Sequence, residues 1–173
     1  MDNLTILQVI GYKNSGKTTL ISNWIKRLHA IGKQVSVIKH HGHENGLQLS
    51  NEDTDSMKFF QAGAATSIVA DDDTILFHQQ KKSPQLEDLT RLVNVEETDL
   101  LLIEGFKKGP YPKIVLVKNE EDWETLQHVN EIVCVVSHVP FQLENYPTFH
   151  IDDNHELFIW LQHYIGGDLY ETI

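Results

Sequence analysis

The sequence predicts an α/β fold, a mostly parallel central sheet with helices on both faces, and three observations carry that expectation. Short β-branched apolar runs alternate with stretches of helical period along the chain. The first run, its loop, a helix and the second run fit within residues 1–39, the span of one βαβ unit, whose crossover is right-handed. The run Asp99 to Ile103 (DLLLI) is entered by an acid, apolar thereafter, and left through Glu104 and Gly105, the profile of a strand covered on both faces. With 173 residues there is room for one compact domain, 1–173, and for no second catalytic module.

In chain order, Thr5 to Ile10 is the first strand. Lys17 to Ile31 follows as an amphipathic helix: Leu20, Ile21, Trp24, Ile25, Leu28 and Ile31 recur at helical spacing, and Gly32 ends it. Gln34 to Lys39 (QVSVIK) is the second strand, parallel to the first. The polar stretch His40 to Asn51 has no period and is expected to be a long loop, a class more often functional than idle. Asp53, Thr54 or Asp55 caps a helix that runs to about Ala62 and stops at Gly63. Thr66 to Ala70 and Thr74 to His78, parted by Asp71, Asp72 and Asp73, form a hairpin. Ser83 to Val93 is expected to be helical, with Pro84 in its first turn and Leu86, Leu89, Leu92 and Val93 on one face. The Asp99 strand belongs near the middle of the sheet. Lys113 to Val117 and Glu131 to Val136 are further strands around a short helix, Asp122 to Gln127. Thr148 to Ile151 adds a last strand, and Asn154 to Ile165 a last helix, with Leu157, Phe158, Leu161 and Tyr164 facing inward and Gly166 and Gly167 stopping it.

Lysine and arginine total 14 against 25 aspartates and glutamates, a formal charge of −11 with histidine neutral. Non-specific binding to duplex nucleic acid draws on clustered basic charge, so no nucleic-acid partner is expected. A small anion needs only one locally positive site. Apolar residues at 40% and charged residues at 23% fit a globular chain rather than a disordered one. Cys134 is the single cysteine, so no intrachain disulfide forms, which suits a reducing compartment. No apolar run reaches the roughly 20 residues that span a bilayer as a helix. The opening MDNLTILQVIGYKNSGKTT shows no basic leader with a small-residue cleavage site. A cytoplasmic protein without a membrane partner is the expectation.

One motif carries chemistry. Gly11-Tyr12-Lys13-Asn14-Ser15-Gly16-Lys17-Thr18 matches G-x-x-x-x-G-K-[ST] and lies between the first strand and the first helix, the context that a phosphate-binding loop requires. Gly11 and Gly16 let the backbone wrap tightly, so that successive N–H groups converge on phosphate oxygens and add to the positive end of the helix. Lys17 supplies a mobile charge between β- and γ-phosphates, and the Thr18 hydroxyl is placed to ligate Mg²⁺. Thr19 adds a second hydroxyl near the α-phosphate. The expected class is therefore P-loop NTPase-like.

Other residues are candidates by position. Glu104, at the carboxyl end of the apolar strand, is expected to complete the Mg²⁺ site or assist an attacking water; Asp99, at the other end, is a weaker candidate. His40, His41 and His43, beside Lys39 and Glu44, read as a phosphate- or substrate-facing loop, as an exposed polar loop or as a transition-metal site, although no cysteine lies near. Asp55 and Ser56 either join that side or cap their helix. Lys107, Lys108 and Lys113 around Gly109-Pro110-Tyr111-Pro112 either steer an anion or form a solvated loop. Trp123 and Phe141 are assigned to packing.

These segments together resemble the molybdopterin-guanine dinucleotide biosynthesis protein B (MobB) family over nearly the whole chain. GYKNSGKTTL (Gly11 to Leu20) is similar to its phosphate loop, VIKHHGH (Val37 to His43) to its Lys-His-rich loop and DSMKFFQAGA (Asp55 to Ala64) to its Asp-Ser to Ala-Gly-Ala helix. LLIEGFK (Leu101 to Lys107) and PKIVLV (Pro112 to Val117) resemble its two later strands. The resemblance implies a homodimeric protein that binds GTP and hydrolyses it weakly, with His40 and His43 joining the phosphate loop in holding the cofactor. It also implies a MobA-type molybdopterin guanylyltransferase as partner, with molybdopterin or the molybdenum cofactor as a further ligand. On that reading the chain is an accessory factor and does not itself attach GMP to molybdopterin. The chain departs from the pattern where related proteins place an Asp after the Ile132 to Val136 strand: here Ser137-His138-Val139-Pro140 follows. No Asn-Lys-x-Asp guanine-recognition motif is present, so the residues alone specify a nucleoside triphosphate and the guanine preference comes from the likeness. A small-molecule kinase that places its acceptor on the His40 to His43 loop, and a nucleotide-gated adaptor, remain open as alternatives.

Overall fold

A computed structural model describes residues 4–42 and 54–166 of the chain. They form two compact units, one from residues 4–40 and 86–166, the other from residues 41–42 and 54–85. In the first unit the strands β1 (Thr5–Gly11), β2 (Val35–Lys39), β5 (Leu100–Glu104), β6 (Lys113–Val117), β7 (Ile132–Ser137) and β8 (Thr148–His150) make one six-stranded sheet in the order β2-β5-β1-β6-β7-β8. Every neighbouring pair is parallel. The helices of this unit are α1 (Lys17–Ala30), α3 (Leu86–Thr90), α4 (Glu120–Leu126) and α5 (Asn154–Tyr164). The second unit holds α2 (Asp55–Gln61) and an antiparallel hairpin of β3 (Thr66–Ala70) and β4 (Ile75–Gln79).

Successive residues of a strand point to opposite faces, and the sheet sorts its apolar side chains accordingly. Leu7, Val9, Leu100, Leu102, Ile114, Leu116, Cys134 and Val136 face one side, where α1 brings Leu20, Ile21, Trp24 and Leu28 and α5 brings Leu157, Phe158 and Leu161. On the other side Ile10, Val115, Val117 and Val135 pack with Leu126 of α4, and Leu101 and Ile103 with Leu86 of α3. Each fully buried side chain of this kind contributes about 1.5–3 kcal/mol, so two covered faces leave the sheet rigid enough to hold a site at its edge. β5 is buried at every residue and lies between β2 and β1. The Cys134 thiol is buried in this core, and burial pushes its pKa far up, so it stays an unreactive thiol.

Three expectations are corrected. The helix expected over Ser83 to Val93 is only five residues long, Leu86–Thr90. Ser83 takes a left-handed φ of 49°, and beyond Thr90 the chain closes i→i+3 bonds, Leu92 to Leu89 and Val93 to Thr90, with Leu92 exposed instead of facing the core. Ile31 is also exposed, since α1 ends one residue before it. The helix expected at Asp122 begins earlier, at Glu120, because Asn119 Oδ1 accepts the Asp122 N–H at 2.9 Å while the Asp122 carboxylate accepts the Lys118 N–H at 2.9 Å. The first bond satisfies one of the N–H groups a helix start leaves unpaired, and the second ties the residue before the cap to the helix. Trp123 packs edge-on against Phe141 and Tyr146, as a packing residue should.

Candidate functional site

Parallel strands bring their carboxyl ends to one edge of the sheet. Here that edge carries the loop 11–18 after β1, Lys39 and His40 at the end of β2, Glu104 closing β5, Lys118 after β6, and Ser137 and His138 at the end of β7. Residues distant in sequence thus surround the phosphate-loop motif.

The loop itself is dictated by backbone sterics. Gly11 has φ 157°, and a β-carbon there would lie 2.6 Å from the Leu116 carbonyl oxygen and 2.6 Å from Ser15 Oγ, so only glycine passes. Asn14 and Gly16 take left-handed φ values of 61° and 90°. Ser15 is fully buried, its N–H donating to the Tyr12 carbonyl at 3.3 Å. Gly16 is the N-cap of α1, which has no side-chain cap and no acid in its first turn. The positive end of that helix therefore carries no carboxylate from its own first turn to neutralise it. Tyr12 lies under the ammonium of Lys107, 4.0 Å from its ring centroid, and Lys13 offers its carbonyl to Lys118 Nζ at 3.5 Å. Thr19 is exposed on the first turn of α1.

Lys17 curls back over the loop, donating to the Tyr12 carbonyl at 2.7 Å and lying 3.4 Å from Ser15 Oγ. Burial lowers its pKa below the usual lysine value; Glu104 opposes the shift, and Lys107, Lys39 and Lys118 add to it. Four lysines thus share a small region of a chain whose net charge is −11. The local positive site that an anionic ligand needs is present.

Thr18 and Glu104 meet although 86 residues separate them. The Thr18 hydroxyl donates toward the Glu104 carboxylate, 3.1 Å from Oε1 and 3.0 Å from Oε2. Lys39 Nζ donates to the same hydroxyl at 3.0 Å and lies 3.1 Å from Glu104 Oε1. The Glu104 side chain is only 11% exposed, so its charge needs this partner. A hydroxyl and a carboxylate are hard oxygen donors, and an ammonium already rests on both; the pair fits a hard divalent cation by donor chemistry. His40 pairs its N–H with the Glu104 carbonyl at 2.9 Å and packs its ring 4.6 Å from that of Phe106.

Several candidates fall elsewhere. Asp99 sits at the amino end of β5, away from the loop, where its carboxylate accepts the Gln34 N–H at 2.8 Å and pairs with Lys33 at 3.0 Å. It fastens the start of β2 and is no part of the site. Lys113 is 1% exposed, and its ammonium donates to the carbonyls of Gly109 at 2.7 Å and Tyr111 at 2.8 Å, so it braces the Gly-Pro loop and steers nothing. Lys108 is exposed. Asp55 pairs with Lys58 at 3.1 Å and does not cap α2, whose N-cap is Thr54; the Ser56 carbonyl accepts the Ser67 hydroxyl at 3.0 Å. His43 and Asp53 lie outside the described residues, and no group of three potential metal ligands occurs among the described ones.

Two residues at the site were not singled out by sequence. In the sequence Lys39 stands out only as a neighbour of the histidines. His138 places Nε2 3.1 Å from the Ser15 carbonyl, with the His150 ring on its own carbonyl at 3.2 Å. The signal for both was their place as the last residue of a strand or the first beyond it, which becomes specific only once the strand order is known. No helix among the described residues is long and apolar enough to cross a membrane.

Residues 6–138 match the family model described as MobB, molybdopterin guanine dinucleotide synthesis protein B. The chain is 39% identical over 150 residues to the probable molybdopterin-guanine dinucleotide biosynthesis adapter protein of Bacillus subtilis, covering 86% of each chain. Among solved structures it is similar to Bacillus subtilis MobB, with a TM-score of 0.79 at 31% identity over 92% of this chain and 97% of that one. It is likewise similar to the MobB homolog of Bacillus stearothermophilus, with a TM-score of 0.76 at 32% identity over 93% and 97%. With the phosphate loop, Lys39 and His40 at the end of β2 and the IEGFK strand lying together at one sheet edge, and with these likenesses over most of its length, the chain belongs to the MobB family.

Proposed function

We propose that this protein is a nucleotide-binding adapter of molybdopterin guanine dinucleotide biosynthesis that binds GTP with Mg²⁺ and hydrolyses it slowly. The observation that supports this reading most directly is the convergence of Lys17, Thr18 and Glu104 on the amide-lined loop after β1. On this reading the N–H groups of residues 13–18 hold the phosphate tail, and Lys17 turns from the Tyr12 carbonyl to the phosphate oxygens. Thr18 and Glu104 would hold Mg²⁺, which when bound neutralises charge on the β- and γ-phosphates. Glu104, fixed by β5, also lies where it can orient a water. His40, at the end of β2, flanks the phosphates on this reading.

The relatives named adapter proteins suggest a partner enzyme, which we assign as a MobA-type guanylyltransferase in the cytoplasm that makes the new bond itself. Molybdopterin is then the partner's substrate, or a ligand passed between the two. We further assign a homodimer. The hairpin supports it: Ile68, Ala70, Ile75 and Phe77 alternate onto one face of β3 and β4, with Ile68 61% and Ile75 70% exposed. Large exposed apolar patches of this kind mark contact surfaces.

Calorimetry with GTP and ATP, each with and without Mg²⁺, tests the nucleotide reading. Lys17→Ala is expected to weaken binding at least about tenfold with the fold intact by circular dichroism, the loss of one buried charge-assisted contact. Equal affinity of the variant and the natural chain would refute it.

A further inference from the structure

Lys39 stands where the chemistry of the site calls for a metal. Its Nζ is 3.0 Å from the Thr18 hydroxyl oxygen and 3.1 Å from Glu104 Oε1, while Thr18 spans both carboxylate oxygens. These are the two side chains assigned above to the divalent cation. The lysine arrives there because it ends β2, paired in register with Glu104 at the end of β5. The register is fixed by five successive residue pairs, Val35 with Leu100 through Lys39 with Glu104, so the juxtaposition belongs to the sheet and not to a mobile loop. Its side chain is 53% exposed, free to swing outward on its four-carbon stem, whereas Glu104 is held in place.

We propose that Lys39 is the built-in cation of this nucleotide site: its ammonium and the divalent metal compete for Thr18 and Glu104, and each can neutralise the phosphate tail in place of the other. The inference rests on the phosphate-loop reading given above and adds a residue and a form of regulation to it. Three consequences follow from electrostatics. Without a divalent metal, the ammonium keeps the Glu104 carboxylate from repelling the incoming phosphates. With the metal, the ammonium is displaced from the carboxylate and remains near the phosphates as an extra positive charge. The dependence of nucleotide affinity on Mg²⁺ is accordingly shallower than two oxygen ligands alone would give.

The measurement is the ratio of the dissociation constant of a non-hydrolysable GTP analogue in EDTA to that in Mg²⁺, taken by calorimetry on the full chain. Lys39→Met is expected to raise this ratio by about fivefold or more, the effect of one partly exposed ion pair of about 1 kcal/mol, chiefly by weakening binding in EDTA. Lys39→Arg, which keeps the charge, should bring the ratio back toward that of the natural chain. Lys26→Met, on the exposed face of α1, removes the same charge from elsewhere and sets the baseline. Lys39→Gln is the second neutral variant should the methionine disturb folding, and thermal melting checks each protein. A ratio for Lys39→Met equal to that of Lys26→Met overturns the proposal, as does weakening by the same factor in both buffers, which would make Lys39 a simple phosphate contact. If the natural chain binds no analogue in either buffer, the phosphate-loop reading fails and the inference falls with it; binding with an unmoved ratio removes the inference alone.

Discussion

At the scale of single residues, Lys17 ties geometry to pH. Its ammonium is partly desolvated against the loop and faces three other lysines, so it gives up its proton more readily than a free lysine. Between that lowered value and the unfolded value near 10.5 the unfolded chain binds more protons than the folded one, so stability rises with pH through this window. At neutral pH the charged Lys17 therefore costs stability that an incoming phosphate restores. Nucleotide affinity is expected to fall as pH rises through the same window, earlier than an ordinary lysine would cause. Lys17→Arg, which holds its proton above pH 12, should bind more weakly at pH 7 yet show a flatter profile up to pH 10, measured by titration of a fluorescent nucleotide; parallel profiles for the two proteins would exclude Lys17 as the titrating group. Lys17, Thr18 and the loop glycines were legible in sequence because the loop's geometry admits so few residue types. Asp99, the weaker candidate, and Lys113, whose loop reads equally well as solvated, are not decided by their letters. Only the strand direction sends Asp99 to the far edge, and only three-dimensional packing reveals that Lys113 spends its donors on two carbonyls.

At the scale of elements, the strands were readable because a parallel sheet covered on both faces demands continuous apolar runs, and DLLLI, KIVLV and IVCVV supply them. Helices were less so. The face Leu86, Leu89, Leu92 and Val93 has helical spacing, but spacing does not say whether a surface exists to receive Leu92, which stays 57% exposed. The start of α4 has a signal that hydrophobic period overlooks: Asn119 and Asp122 stand three apart, the spacing at which an N-cap side chain accepts from the third helical N–H. Asn119→Ala is expected to cost about 1 kcal/mol in urea unfolding, the usual value of an N-cap. Lys113→Met should cost more, about 1–3 kcal/mol, because the Gly109 and Tyr111 carbonyls lose their buried donor. An Asn119→Ala loss larger than that of Lys113→Met would contradict the ranking of an exposed cap below a buried brace.

At the scale of the whole molecule, the net charge of −11 conceals its distribution, because the lysines that matter are brought together by strand order. Composition likewise gives no hint that residues 54–85 fall in a unit of their own, since no proline- or serine-rich linker marks its borders. The hairpin in that unit is the surface to which the proposed homodimer is assigned. An isolated two-stranded ribbon is marginally stable in water. Here one face is engaged by α2, through Ser67 against the Ser56 carbonyl and His78 against the Phe60 ring, while the opposite face presents Ile68, Phe77, Ala70 and Ile75 to solvent. Leaving such a row in water forfeits burial that roughly 25 cal/mol per Å² would otherwise return, and it invites association. Two copies meeting on that face would cover both rows symmetrically, as most soluble homodimers do. Ile68→Lys with Ile75→Lys places like charges on diagonal positions of the row and should convert a dimer to a monomer in sedimentation velocity at micromolar concentration, with the far-ultraviolet circular dichroism retained. If the natural chain already sediments as a monomer at that concentration, or the doubly substituted chain remains a dimer, the hairpin face is not the surface that joins two copies.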